Sequence, residues 1–176
     1  MTQLHYDVFP TEVGWAGVLA SQHGLRRLTL RPTPEEALDD MLLKTTEARH
    51  DPTAMEPMRH RITAYLRGEG VSLDPLPLDL EDAPPFFRAA WEACRRIPLG
   101  ETRSYAWLAS AAGSPGAFRA AGQAMARNRL SIVIPCHRVI ASDGGLHGYS
   151  GGLDMKDRLL ELEPRAKPSD LILNKH

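Results

Sequence analysis

Between Asp74 and Pro85 the chain places four prolines and four acidic residues, with Leu76, Leu78 and Leu80 alternating among them. Proline lacks a backbone N–H and has a fixed φ, so this stretch is neither a helix interior nor a central strand. It divides the 176 residues into two parts of unlike pattern, and we place a domain boundary here, with 1–80 before it and 81–176 after it. Either part is long enough for a small core.

The first part reads as strands followed by helices, an α/β pattern. Leu4 to Phe9, Val13 to Ala20 and Leu25 to Leu30 are rich in apolar residues, and Gln22-His23-Gly24 has the composition of a hairpin turn. Thr33-Pro34-Glu35-Glu36 offers an N-cap, a proline in the first turn and a glutamate completing a capping box, which predicts a helix to about Glu47. A second helix is expected over about Thr53 to Arg67, stopped by Gly68 and Gly70.

The second part is mainly helical. Phe87, Ala90, Trp91, Cys94 and Ile97 recur on one helical face, which makes Cys94 a packed core thiol. Ser104 to Ala112 and Ser114 to Arg127 read as two short helices broken at Gly113, the second starting at Ser114 as N-cap and Pro115 as first helical residue. Two short helices around a glycine turn are the pattern of a helix-turn-helix. Ile132-Val133-Ile134 reads as a short buried strand ended by Pro135. A glycine-rich loop follows, then a last helix over Leu153 to Glu163 and a loosely held tail from Pro164.

The net charge of −1 hides an uneven distribution. Residues 1–85 hold 8 Lys/Arg against 14 Asp/Glu, whereas residues 86–165 hold 11 against 7. Thr102 through Ser142 contains no acidic residue but carries Arg103, Arg119, Arg127, Arg129 and Arg138, a window suited to a polyanion. No run approaches the ~18 apolar residues of a membrane span, and Met1 to Phe9 lacks the pattern of a secretory signal, so a cytoplasmic protein is expected. With only Cys94 and Cys136, and with His5, His23, His50 and His60 scattered, neither a metal site nor a cofactor is expected.

Ile134-Pro135-Cys136-His137-Arg138-Val139 sets a thiol beside an imidazole and a guanidinium, surroundings that favour thiolate. A bare Cys-His pair is also compatible with an inert buried cysteine. From Pro85 to Glu163, however, the chain resembles the O6-alkylguanine-DNA alkyltransferases, the methylated-DNA-protein-cysteine methyltransferases. Pro135 to Val139 matches their Pro-Cys-His-Arg-Val hallmark. Pro85-Phe86 with Trp91, Gly100-Glu101 with Ser104-Tyr105, Arg119-Ala120-Ala121-Gly122, Asn128, Tyr149-Ser150-Gly151-Gly152, and Lys156 with Leu159-Leu160 and Glu163 follow in the family's order. Arg129 and Ser131 stand where many or some relatives carry proline.

The resemblance implies a first domain like ribonuclease H and a second with a winged helix-turn-helix-like fold. It also implies single-turnover transfer of a methyl or larger alkyl group from O6 of guanine, with O4 of thymine left open, to Cys136. In this scheme His137 deprotonates the thiol through a water, Glu163 orients His137, and Asn128 links the second helix to the site. Tyr105 turns the base out and hydrogen-bonds the departing ring, while Arg119 fills the gap. Ser104, Ala120, Gly122 and Arg127 contact DNA, and Met125, Val139, Tyr149, Ser150 and Gly151 shape the pocket, with Ser150 donating to O6 and the carbonyls of Cys136 and Val139 reading the exocyclic amine. The partner implied is double-stranded DNA containing alkylated guanine, bound through the minor groove by a monomer. An alternative of another class is a non-catalytic lesion-binding protein, which lacks the acceptor cysteine. A cysteine hydrolase built on Cys136 and His137 is a third reading, and it predicts turnover.

Overall fold

A computed structural model of the chain describes residues 2–45, 47–141 and 153–164. Three strands, β1 (His5–Thr11), β2 (Gly14–Ser21) and β3 (Gly24–Arg31), form an antiparallel meander. Each connection has two residues, and each places a glycine at positive φ where the chain re-enters the sheet, Gly14 at 125° and Gly24 at 142°. A Cβ on Gly24 would lie 2.5 Å from the Pro77 carbonyl oxygen, so this turn is also where the proline-rich segment crosses the sheet.

Helix α1 (Pro34–Leu42) begins as its sequence dictates, with the Thr33 hydroxyl accepting from the Glu36 amide at 3.2 Å. It ends at Leu42 rather than near Glu47. It packs on β2 over Gly17, whose missing side chain lets the Ala37 carbonyl approach; a Cβ there would stand 2.9 Å from that oxygen. A short β4 (Arg49–His50) runs parallel to β1 and completes the sheet order β3-β2-β1-β4. Helix α2 (Pro52–Leu66), capped by Asp51, turns Met55, Ile62, Tyr65 and Leu66 inward.

The segment taken as a boundary is not a free linker. The Leu25 amide donates to Pro77 O and the Asp79 amide to Leu25 O, so the segment pairs against β3, with Leu76 and Leu80 buried. Beyond it, α3 (Pro85–Arg95) buries Ala90, Trp91 and Cys94, and the Trp91 indole N–H donates to the Ala124 carbonyl at 2.8 Å, tying α3 to the later helix that carries Ala124. A two-residue strand β5 (Arg103–Ser104) leads into α4 (Tyr105–Ala111), whose N-cap is Ser104.

Helix α5 spans Phe118–Ala126 and does not start at Ser114 and Pro115 as the capping pattern suggested. Gly116 sits at φ 86°, which ends any helix begun at Pro115, and Ser114 to Ala117 instead close a turn through Ala117 N–H to Ser114 O. A second correction concerns Ile132 to Ile134, which form a tight turn and not a strand. The strand lies later, as β6 (Val139–Ile140), paired parallel with β5. Helix α6 (Leu153–Leu162) closes the described chain. Among the described residues this gives six α-helices and a four-stranded sheet, a mixed α/β architecture, with one apolar cluster running continuously from Phe9 to Leu159. No helix among the described residues is long and apolar enough to cross a membrane.

Candidate active site

The turn that replaces the expected strand is what presents Cys136. Ile132 has φ 64°, a left-handed conformation costly for a β-branched residue, and surrounding bonds hold it there. Asn128, just past the end of α5, supplies two of them. Its side-chain oxygen accepts from the Leu130 amide at 2.9 Å, and its Nδ2 donates to the Ile134 carbonyl at 2.8 Å. Pro135 then sits at φ −80°, ψ 64°, and the Cys136 amide donates to the Ile134 carbonyl at 2.8 Å, the geometry of an inverse γ-turn. Proline suits this position because its φ is already set and its missing N–H has no role there. Cys136, His137 and Arg138 follow as one turn of 3-10 helix.

Cys136 is almost fully buried, and the same Asn128 Nδ2 lies 3.2 Å from its Sγ, donating toward sulfur. His137 has no solvent exposure. Its Nε2 is 2.6 Å from Glu163 Oε1, so that nitrogen carries the proton and donates. Its Nδ1 is buried with no hydrogen-bond partner among the described residues. Burial lowers the imidazole's proton affinity, Glu163 opposes this, and Arg138 and Lys156 add to the lowering. The net shift is downward, which leaves a neutral ring with a basic Nδ1 at neutral pH.

Glu163 anchors the polar cluster. Arg138 donates to both carboxylate oxygens, through Nε at 3.0 Å to each and through Nη2 at 2.7 Å to Oε1, and a further N–H reaches the Ile97 carbonyl at 2.7 Å. The Gly100 amide lies 3.4 Å from Oε2, and the Tyr65 hydroxyl donates to Oε1 at 2.6 Å. Burial alone would raise this carboxyl, but the bonds from His137 and Arg138 outweigh it and hold Glu163 down to about 2.

Around this centre Met125 is buried on α5 and Val139 follows the 3-10 turn. The Val139 carbonyl accepts from the fully buried Lys156 at 2.8 Å, and the Cys136 carbonyl accepts from the Val139 amide. Tyr105 is half-buried at the start of α4. Burial, and then the nearness of Cys136 and Cys94, raise its phenol, so it stays a donor. Tyr149, Ser150 and Gly151 lie outside the described residues.

The arginine window is less uniform than its sequence suggests. Arg138 is buried on Glu163 and cannot serve a polyanion. Arg103 pairs with Glu101, and Arg129 pairs with Asp82 at 2.6 Å while covering the Trp91 ring. Arg119 and Arg127 are exposed, at the start of α5 and just past its end, Arg127 over the Phe87 ring. Between them Ala120 and Gly122 keep that helix surface shallow, and a Cβ on Gly122 would meet nothing within 4 Å. Ser104 uses its hydroxyl to cap α4, accepting from the Trp107 amide. Among the described residues no group of three His, Cys, Asp or Glu gathers to hold a metal ion. Sequence reasoning missed Tyr65 and the buried role of Arg138. Tyr65 precedes its partner by 98 positions and no local pattern marks it, whereas Arg138, two residues from the thiol, could have been suspected of pairing with the carboxylate expected to orient His137.

Residues 85–165 match the sequence model of the 6-O-methylguanine DNA methyltransferase DNA-binding domain. A methylated-DNA–protein-cysteine methyltransferase of Mycolicibacterium paratuberculosis is 46% identical over 123 residues, 70% of this chain and 73% of that protein. This chain belongs to the methylated-DNA–protein-cysteine methyltransferase family. The similarity is not confined to the second half: the enzyme of that name from Methanosarcina barkeri is 36% identical across 91% of this chain and 97% of its own. Among solved structures, Mycobacterium tuberculosis OGT in complex with DNA superposes with a TM-score of 0.77 at 35% identity, covering 90% of this chain and 91% of that one.

Proposed function

We propose that this protein repairs DNA by transferring an alkyl group from O6 of guanine to Sγ of Cys136, once per molecule. The observation that carries the assignment is a buried thiol and a buried neutral histidine on one turn, met by an ionised carboxylate from just past α6 that fixes the histidine's tautomer.

In the reaction, His137 Nδ1 takes the thiol proton through a water, and Sγ attacks the alkyl carbon as the C–O6 bond breaks. The bond's electron pair leaves on guanine. The Tyr105 hydroxyl donates a hydrogen bond to the departing ring, which needs the proton because guanine is a poor anionic leaving group. The proton held by His137 restores the balance, so thiol and alkylguanine become thioether and guanine. Glu163 holds Nε2–H, Asn128 fixes both the turn and the sulfur, and Met125 and Val139 wall the pocket; Tyr149, Ser150 and Gly151, outside the described residues, are the further pocket residues that the family motif implies. A thioether is not displaced by water, so the sulfur is not regenerated. That separates this reading from a cysteine hydrolase, which turns over, and the presence of Cys136 separates it from a lesion binder.

O6 of a paired guanine is out of reach, so the base must leave the stack, at a cost of a few kcal/mol. Arg119, exposed at the start of α5, fills the space, and the shallow face at Ala120 and Gly122, flanked by Arg127 and by Ser104 at the head of α4, approaches the backbone in the minor groove. The fold reading that accompanies this is a ribonuclease-H-like first domain, 1–80, and a winged helix-turn-helix-like second, 81–176, acting as a monomer in the cytoplasm.

The test is incubation with a duplex carrying labelled O6-methylguanine. One equivalent of label bound per chain, with no further release of repaired DNA, is the expected result. Multiple turnovers, or label left wholly on DNA, would refute it.

A further inference from the structure

Resting on the assignment of His137 as the base, we infer that Tyr65, contributed by α2 of the first half, is a positioning residue of the acid–base relay, which makes the acceptor site a joint product of both halves of the chain. The Tyr65 ring is buried, and its hydroxyl lies 2.6 Å from Glu163 Oε1 and 3.3 Å from His137 Nε2. It shares Oε1 with the imidazole N–H and with Arg138. A carboxylate oxygen that accepts from a phenol, a guanidinium and an imidazole divides its charge among them, and each donor weakens its pull on the others. The phenol cannot supply a charge of its own there, because burial and the adjacent carboxylate both keep it protonated.

The consequence falls on His137. With the Tyr65 hydroxyl in place, Glu163 orients the ring without drawing a second proton onto it. Removing that hydroxyl leaves the carboxylate more localised toward Nε2–H, which stabilises imidazolium and occupies the Nδ1 lone pair needed for the thiol proton. The groups that bear on this balance are Tyr65 from α2, Arg138 from the 3-10 turn, Lys156 from α6 with Cys136 near it, and Glu163 just past α6. Of these, Tyr65 can be stripped of its donor with one atom's change and its ring left in place.

The experiment is the pH–rate profile of Tyr65→Phe in the full-length chain, with free O6-benzylguanine as substrate so that DNA binding does not enter. The acid limb, which reports protonation of the base, is expected to move up by about 0.5–1 pH unit, so that the rate below the limb drops about 3–10-fold while the plateau changes much less. A uniform loss at all pH values, or an unmoved limb, would mean that Tyr65 only packs, and would overturn the inference. Where the variant reacts too slowly to profile, the imidazole of His137 is titrated by NMR in Cys136→Ser with and without Tyr65→Phe. The expected change is an upward shift of the same size, and equal titration curves would refute it. Wild-type chain that forms no adduct would count against the acceptor assignment itself, a separate outcome from a normal wild-type profile with an unmoved variant limb.

Discussion

Cys94 and Cys136 are buried in one continuous apolar core, yet they lie in regions built in opposite ways. Cys94 projects from the last turn of α3, on the face that carries Ala90 and Trp91, and burial pushes its thiol well above the ordinary range. Cys136 sits at a break in regular structure, where a left-handed Ile132, an inverse γ-turn at Pro135 and the side chain of Asn128 bring polar groups to its sulfur. Burial is therefore not what separates an inert sulfur from an acceptor. The difference is that the second region gives up regular hydrogen bonding to bring an amide to the sulfur and to set, on the next residue, an imidazole held by a carboxylate.

The sharpest way to break this comparison is to remove each part in turn. Cys136→Ala is expected to abolish adduct formation while leaving the far-UV circular dichroism and melting transition near those of the wild type. Glu163→Gln comes next. It strands the buried Arg138 guanidinium without a counter-charge and is expected to lower stability by about 3–5 kcal/mol, measured by urea unfolding. It also slows transfer on the order of 10²–10⁴-fold, because a neutral amide holds the Nε2–H of His137 more weakly than a carboxylate and does not stabilise the imidazolium formed when His137 takes the proton.

The same cluster sets the acid response. Glu163 is held at about 2 in the folded chain against an ordinary value of 4.5, so the unfolded chain takes up the proton first and stability falls as the pH drops from about 4.5 toward 2. His137 lies below its ordinary 6.5, so it too favours the unfolded state, beginning as the pH falls below about 6.5. Melting temperature followed from pH 7 to 3 should decline throughout, and the portion below 4.5 should flatten in Glu163→Gln.

Asn128→Ala, which removes bonds to Leu130, Ile134 and Cys136, is expected to cost about 1–3 kcal/mol and to slow transfer with it. Cys94→Ala is the smallest change, about 1 kcal/mol of lost packing, with transfer rates within a factor of about two. A large loss of transfer in Cys94→Ala would erase the contrast between the two regions.

Much of this was legible in the sequence, and the exceptions share a cause. The meander of three strands, the capped start of α1, helices α2 and α3 and the Gly113 break are each written in local pattern, and they form where that pattern places them. Ile132-Val133-Ile134 has strong β propensity, but Asn128, through its side-chain bonds, and Pro135, through its fixed φ, impose a turn that no periodicity reveals. Ser114-Pro115 reads as a helix start, and Gly116, one residue later, overrides it. The thiol, the histidine and the carboxylate could be named from the sequence because a family resemblance aligned them. Tyr65 could not, because its pairing with Glu163 is made across the fold between two halves of unlike composition. Arg138 was read as part of a polyanion surface and lies buried instead, since charge counted along a sequence does not say which charges face solvent.

The central claim is tested most directly by peptide-level mass mapping after reaction with a duplex containing O6-methylguanine. One methyl group on the peptide containing Cys136, at one equivalent per chain, with the Cys94 peptide unmodified, is the result expected. Methyl found on Cys94, or on neither cysteine while the lesion disappears from the DNA, would contradict it.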